Sequence, residues 1–339
     1  MKSLVRPELP TASVASSQAT TDAVDNSAPL ATRPESTYES GKVVQTTGAT
    51  SGGVLAVVVL YNRSFKDVPC ASRLMQWLAA PISVSTRLSL AHCLIYDNSP
   101  VAQPLDFDAH ERIDSFHDIS NGGTRAAYLY ALKIARAKGY PWILFLDHDT
   151  DLPQDFFLDA ERALSVAPEN TTVCAVVPSA FDGFNQISPA SITAYGRGHA
   201  KQGAWALTRK NTTLTAIASA SLVRTDSLTA LLPIPAAFVL DYLDHWLFRE
   251  FQRRGESIVV SSARVEHSLS VQSMQTISID RYRAILAAEL IYLRSGPQYS
   301  LAVHLIWHVA RTLKLMLFTR RPALVRVCVN GIFNILRDK

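Results

Sequence analysis

The stretch Trp142-Ile143-Leu144-Phe145-Leu146-Asp147-His148-Asp149-Thr150 constrains the chain more than any other, because an apolar run ends there directly in two carboxylates. Bounded by Gly139-Tyr140-Pro141 before and Leu152-Pro153 after, it reads as a short strand covered on both faces, as in parallel sheets. Ligands of such α/β sheets bind beyond the carboxyl ends of the strands. Asp147 and Asp149 therefore emerge at a binding edge, spaced to serve one divalent cation, or one cation and a ribose. Capping of the helix expected near Gln154 is the plainer reading, but one acid is enough for a cap.

The chain repeats this pattern of apolar strand followed by a polar turn. Val54 to Leu60 is a β-branched run closed by Tyr61-Asn62-Arg63-Ser64, and a helix is expected over Val68 to Leu78. A second strand, Ser89 to Tyr96, ends in Asp97-Asn98-Ser99-Pro100, and a weaker one, Arg112 to Phe116, ends in a loop containing Asn121-Gly122-Gly123. Apolar residues near helical spacing from Thr124 to Lys138, with Gly139 as the stop, predict the helix that precedes the Asp-His-Asp strand. Downstream, strands are expected over Thr172 to Val177, Leu214 to Val223 and Ser257 to Ser261, the last leading to Val265-Glu266-His267. Pro178 to Gly203 reads as a long irregular loop, and Tyr242 to Arg254 as a helix with Trp246, Leu247, Phe248 and Phe251 facing inward. Strands alternating with helices at these lengths define an α/β doubly wound sheet.

Composition sets the limits around this core. Residues 1–52 are rich in Ser, Thr, Ala and Pro without periodicity and are expected to be a disordered tail. The net charge is +4, but the segment from Ile279 to Lys339 is strongly basic, with Glu289 and Asp338 among its few acids. There, Leu301 to Phe318 and Ala323 to Leu336 form two apolar helices flanked by Arg311, Lys314, Arg320 and Arg321. Such a pair suits an inner-membrane surface or a second copy of the chain. Nucleic acid is not expected, since the basic residues lie among aliphatic rather than aromatic neighbours. The four cysteines have neither disulfide nor zinc-site spacing. With no apolar signal-peptide core and no uncharged apolar run of about eighteen residues, a cytoplasmic location is expected.

The order Tyr61-Asn62, Asp97-Asn98-Ser99, Asn121-Gly122-Gly123, Leu146-Asp147-His148-Asp149, Asp241-Tyr242-Leu243-Asp244-His245-Trp246 and His267 resembles the inverting family 2 glycosyltransferases. Their rhamnosyltransferase-like branch is the most similar, and the resemblance covers roughly residues 54 to 270. It implies a GT-A fold, a Rossmann-like mixed sheet flanked by helices, over 53–275, with a basic amphipathic helical region over 276–339. It also implies a nucleotide-sugar donor, a glycan or lipid-linked acceptor and a divalent cation, Mg²⁺ or Mn²⁺. By the resemblance, Asp149 and Asp147 hold the metal with His267 as a third ligand, and Asp147 is shared with the ribose. Tyr61, Asn62 and Asp97 contact the nucleobase side, while Asn121, Gly122, Gly123 and Arg125 face the donor diphosphate or base. Asp244, with Asp241 in reserve, is the general base. The chain departs from the family pattern at Leu129, where Asn is common, and at Trp246, two rather than three residues after Asp244.

Two other classes compete with this reading. Phosphohydrolases that form an aspartyl phosphate also open on Asp-x-Asp, but carry Thr or Val four residues after the first Asp, where this chain has Asp151. A non-catalytic, membrane-associated nucleotide-binding protein would be marked by loss of a metal carboxylate or of the base, and both are present.

Overall fold

A computed structural model describes residues 53–80, 88–105, 110–192, 198–200, 213–267, 277–296, 300–319 and 321–337. The tail expected over 1–52 lies outside them. The first half alternates as predicted: β1 (Gly53–Leu60), α1 (Ala71–Ala79), β2 (Ser89–Asp97), β3 (Ile113–His117), α2 (Gly123–Lys138) and β4 (Trp142–Asp147). There follow β5 (Thr150–Asp151), α3 (Phe156–Ser165), β6 (Val173–Asp182), β7 (Asn185–Ser188), β8 (Ala190–Ile192) and β9 (Gly198–Ala200). The chain then runs through β10 (Thr213–Thr215), β11 (Leu222–Arg224), α4 (Thr225–Thr229), α5 (Leu243–Arg253) and β12 (Ser257–His267). Three helices close it: α6 (Ile279–Arg294), α7 (Leu301–Phe318) and α8 (Pro322–Arg337).

The main sheet has the order β3-β2-β1-β4-β11-β6-β12-β5, with β7 hairpinned onto β6. Its first four strands are mutually parallel, whereas β11 runs antiparallel to both β4 and β6, so the sheet is mixed. Every residue of β1 is buried because both faces are covered. Leu55, Val57 and Val59 pack with α2 and α5 residues such as Tyr128, Leu132 and Phe248 on one side. Val54, Ala56, Val58 and Leu60 pack with Leu74, Leu78 and Phe156 of α1 and α3 on the other. This is the α/β architecture expected, and the C-terminal helices are present as a third packing unit around Tyr282, Leu315, Leu324 and Cys328.

Several expectations are corrected. The single strand predicted over Leu214 to Val223 is two short strands in two different sheets, because the chain turns between them. Ala220 has φ 60°, and the Ser221 N–H donates to the Ala218 carbonyl at 2.9 Å. Among the described residues, the stretch predicted irregular from Pro178 to Gly203 is largely extended: β6 continues to Asp182 and turns through Gly183 into β7. β12 does not stop at Ser261 but continues to His267, switching to an in-out alternation in which Ala263, Val265 and His267 are buried. The helix α6 was not singled out; it starts at Ser278, whose side chain accepts the Arg281 N–H at 3.2 Å.

Candidate active site

Asp147 closes β4 at the carboxyl edge of the sheet, as its position after the apolar run implies. The turn that divides β10 from β11 has a direct use here. It pairs with β4 just before the acids, Ala220 N–H donating to the Phe145 carbonyl at 2.7 Å and Phe145 N–H to the Ser221 carbonyl at 3.1 Å. That pairing delivers Ser219, whose Oγ accepts the Asp147 N–H at 2.9 Å and lies 2.5 Å from Thr150 Oγ1. Thr150 Oγ1 in turn lies 3.0 Å from His267 Nδ1. The two-residue strand β5 pairs antiparallel with the end of β12, with Thr150 opposite His267, and so carries the imidazole to the acids.

The result is a three-residue cluster. His267 Nδ1 is 3.2 Å from Asp149 Oδ1, and ligand atoms of Asp147, Asp149 and His267 all lie within 4.8 Å of one another. That spread falls in the range of about 4 to 5 Å that separates opposite ligands of Mg²⁺- to Ca²⁺-sized ions. Burial first, and then the charges of Asp149 and Asp244, push the Asp147 carboxyl up to about 7. Two carboxylates beside an imidazole make a donor set suited to a hard or borderline divalent ion. His148, between the two acids, turns instead toward the Val59 backbone, and its carbonyl accepts from Arg63 Nη1 at 2.9 Å.

Across the edge, Tyr242 takes φ 65° and opens α5, placing Asp244 in the first helical turn. The two acids of this motif have different neighbours. The Asp244 charge helps to raise the Asp147 carboxyl, while Asp241 lies 3.8 Å from Arg281 Nη2. Burial raises the Asp241 carboxyl, Arg281 opposes that rise, and Asp244 adds to it. Beneath Asp147 and Asp244 is Tyr128, stacked on Phe145 with ring centroids 3.7 Å apart. Its hydroxyl is pushed well up by burial and by both acids.

The other sequence-predicted residues line the same edge in varied roles. Tyr61 stands 44% exposed at the end of β1, available to a flat ligand. Asn62, at φ 51°, donates its N–H to Ser99 Oγ, stapling the ends of β1 and β2. Asp97 is buried, and its two oxygens accept the N–H groups of Ser99 and Gln103 at 2.9 and 2.8 Å. It shapes its own turn, the use that short acids commonly have in loops.

At the start of α2 the backbone donors have partners within the fold. Asn121 N–H donates to the Asp118 carbonyl, Gly122 N–H to Asp118 Oδ2, and Gly123 N–H to Asn98 Oδ1. Arg125 N–H donates to the Val239 carbonyl, and its guanidinium donates through Nε and Nη2 to the Ile234 carbonyl at 3.1 and 2.9 Å. Gly122, Gly123 and Arg125 thus brace the loops around the start of α2, since neighbouring acceptors take these donors.

Sequence reasoning missed Ser219, Thr150 and Tyr128, and also the support behind α5. Arg311 of α7 makes a bidentate ion pair with Glu289 of α6, whose carboxylate also meets the Tyr242 hydroxyl. Arg249 of α5 lies 4.1 Å over the Tyr292 ring and donates to the Tyr292 carbonyl. The C-terminal helices thus hold the helix that carries Asp244. The one available signal was Glu289, an isolated acid in a basic segment, which calls for a partner.

No protein-family model matches the chain, and no curated protein matches it. Among solved structures it is similar to the crystal structure of S. aureus TarS 1-349, at 13% identity and a TM-score of 0.42, with 79% of this chain and 72% of that chain covered. A second crystal structure, of S. aureus TarS, aligns at 12% identity and a TM-score of 0.41, covering 79% of this chain and 44% of that one.

Proposed function

We propose that the chain is a GT-A-type, inverting glycosyltransferase that moves a sugar from a nucleotide-diphosphate donor to a hydroxyl of a glycan or lipid-linked acceptor. The observation that carries this reading is the Asp147, Asp149 and His267 cluster, with the Asp244 charge near enough to help raise the Asp147 carboxyl. A divalent ion held by the cluster, Mg²⁺ or Mn²⁺, would neutralise charge developing on the leaving diphosphate. Asp244 takes the proton of the acceptor hydroxyl, whose oxygen attacks the anomeric carbon opposite the leaving group and inverts it. Asp241, paired with Arg281, orients the start of α5 rather than moving the proton. Tyr61 packs on the nucleobase, and Asp97 fixes the loop beside it. Rhamnose as the transferred sugar and a cytoplasmic site of action rest on the sequence reading alone.

The test is release of nucleoside diphosphate by the purified full chain from a panel of nucleotide sugars with Mn²⁺. Asp149→Ala should abolish both release and calorimetric Mn²⁺ binding. Unchanged release in that variant would sink the metal assignment, and turnover of a generic phosphoester would favour the phosphohydrolase instead.

A further inference from the structure

Helix α7 is amphipathic in the reverse sense of a helix on a water-soluble domain. The residues it buries against the protein are His304, His308, Thr312 and Leu315, and Arg311 reaches inward to Glu289. The residues it presents outward are Ile306, Val309, Leu313, Met316, Leu317 and Phe318, the last two 77% and 78% exposed. Trp307, 44% exposed, lies on the same outward side, and α8 adds Phe333 and Leu336. An apolar face of this extent turned to water is costly, since each buried methylene is worth about 0.8 kcal/mol. Among the described residues, α7 is also the one helix long and apolar enough to cross a membrane by length and composition, although it carries Arg311 and Lys314.

We infer that this face of α7, with the adjoining side of α8, seats the protein on an anionic lipid bilayer surface. Charge selects this occupant over a second copy. Between Leu290 and Arg337 the sequence contains no acidic residue, while Lys314 and Arg326 are exposed on α7 and α8. A twofold pairing of two such faces would bring the Lys314 and Arg326 side chains of both copies to one interface in which these helices supply no carboxylate, which is unfavourable. A bilayer lets its long aliphatic stem lie along the apolar face with the ammonium at the anionic headgroups. Trp307 suits the same depth, where an indole keeps one end apolar and one wet.

The helix lies along the surface rather than through the membrane. It is held sideways by His308 Nε2, 2.9 Å from the Cys328 carbonyl, and by the Arg311–Glu289 pair, both of which a spanning helix would have to abandon. Through Glu289 and Tyr242 the same pair is tied to the start of α5. On the glycosyltransferase reading, which this last step rests on, the seat fixes the height of Asp244 above the bilayer and favours an acceptor anchored in lipid.

The experiment is flotation of the full chain with vesicles of phosphatidylcholine alone, or of phosphatidylcholine mixed with phosphatidylglycerol. Strong flotation on the mixed vesicles is expected. Combined Leu313→Ser, Leu317→Ser and Phe318→Ser should lower partitioning by roughly tenfold or more. Phe184→Ser, which removes a fully exposed aromatic from the β6–β7 turn, should leave it unchanged. Lys314→Gln and Arg326→Gln should each cost about fivefold on the anionic vesicles and nothing on the neutral ones. Absent flotation, or equal flotation of the triple variant, overturns the inference. So does a wild-type dimer, seen by analytical ultracentrifugation, that the triple variant abolishes and vesicles do not compete away. Should the triple variant unfold, the difference in emission between wild type and Trp307→Phe still decides, with a blue shift on anionic vesicles expected and its absence overturning the assignment.

Discussion

Helices α2 and α5 both begin at the carboxyl edge of the sheet, and both are entered through a left-handed residue, Gly123 at φ 71° and Tyr242 at φ 65°. Their chemistry is opposite. The start of α2 is closed by Asp118, Asn98 and the Val239 carbonyl, and its cation, Arg125, is fixed on the Ile234 carbonyl. The start of α5 projects Asp244 toward the metal-type cluster, and its own support comes from behind, through Arg249, Glu289 and Arg311. A polar helix start at a sheet edge is thus not in itself a ligand site. Its availability depends on whether neighbouring loops have already taken its donors and acceptors.

The sharpest way to break this comparison is to remove one charged side chain from each helix. Asp244→Asn should lower turnover by about 10²- to 10⁴-fold with folding retained. Arg125→Met should leave turnover within about tenfold and instead lower stability by about 1–3 kcal/mol, from the Ile234 carbonyl it leaves unbonded. Equal kinetic losses in steady-state assays would return Arg125 to the donor site and erase the distinction.

A pH titration of thermal stability sharpens the α5 side. Asp147 has an ordinary value of 3.8 and is pushed up to about 7, so the folded protein holds this proton more tightly than the unfolded chain. The contribution favours folding below that ordinary value and is lost as pH rises through about 7 in the absence of metal. An ion must displace that proton, so stabilisation by Mn²⁺ should grow across the same window and level off above it. Asp147→Asn should remove the metal-free trend; persistence of the full trend in calorimetric melts would place its origin elsewhere.

The smallest effects lie in the backbone of the α2 side. A Cβ at Gly123 would sit 2.3 Å from the Val239 carbonyl oxygen at a positive φ, so Gly123→Ala should cost about 1–3 kcal/mol or more and loosen the tie between the two helix starts. Gly255 has a similar φ of 77° but open space around it, so Gly255→Ala should cost only about 1 kcal/mol. Denaturant melts that rank the two alike would show that the contact with Val239 is soft.

Much of the parallel half of the sheet was legible because its signals are local. β1, β2 and β4 are buried on both faces, which forces continuous apolar runs, and Asp147 and Asp149 follow the last of these directly. The remainder depended on contacts that leave little local trace. The strand predicted over Leu214 to Val223 was broken by a turn whose function is to bring Ser219 to a backbone N–H 72 residues away in sequence. Likewise, α7 reads as an ordinary apolar helix until its packing reveals that the polar side faces the protein.

The sequence by itself determined the α/β alternation and the acids that stand at the carboxyl edge of the sheet, since backbone periodicity and side-chain type act over a few residues. The motif resemblance named His267, but what brings it to those acids is tertiary: the two-residue pairing of β5 with β12 closes a separation of 117 residues between Thr150 and His267. Tertiary structure also set Asp241 beside Arg281 and gave the Gly122 and Gly123 N–H groups their acceptors. Electrostatic coupling and hydrogen-bond satisfaction depend on distances in space, and those exist only once the distant strands and helices have packed.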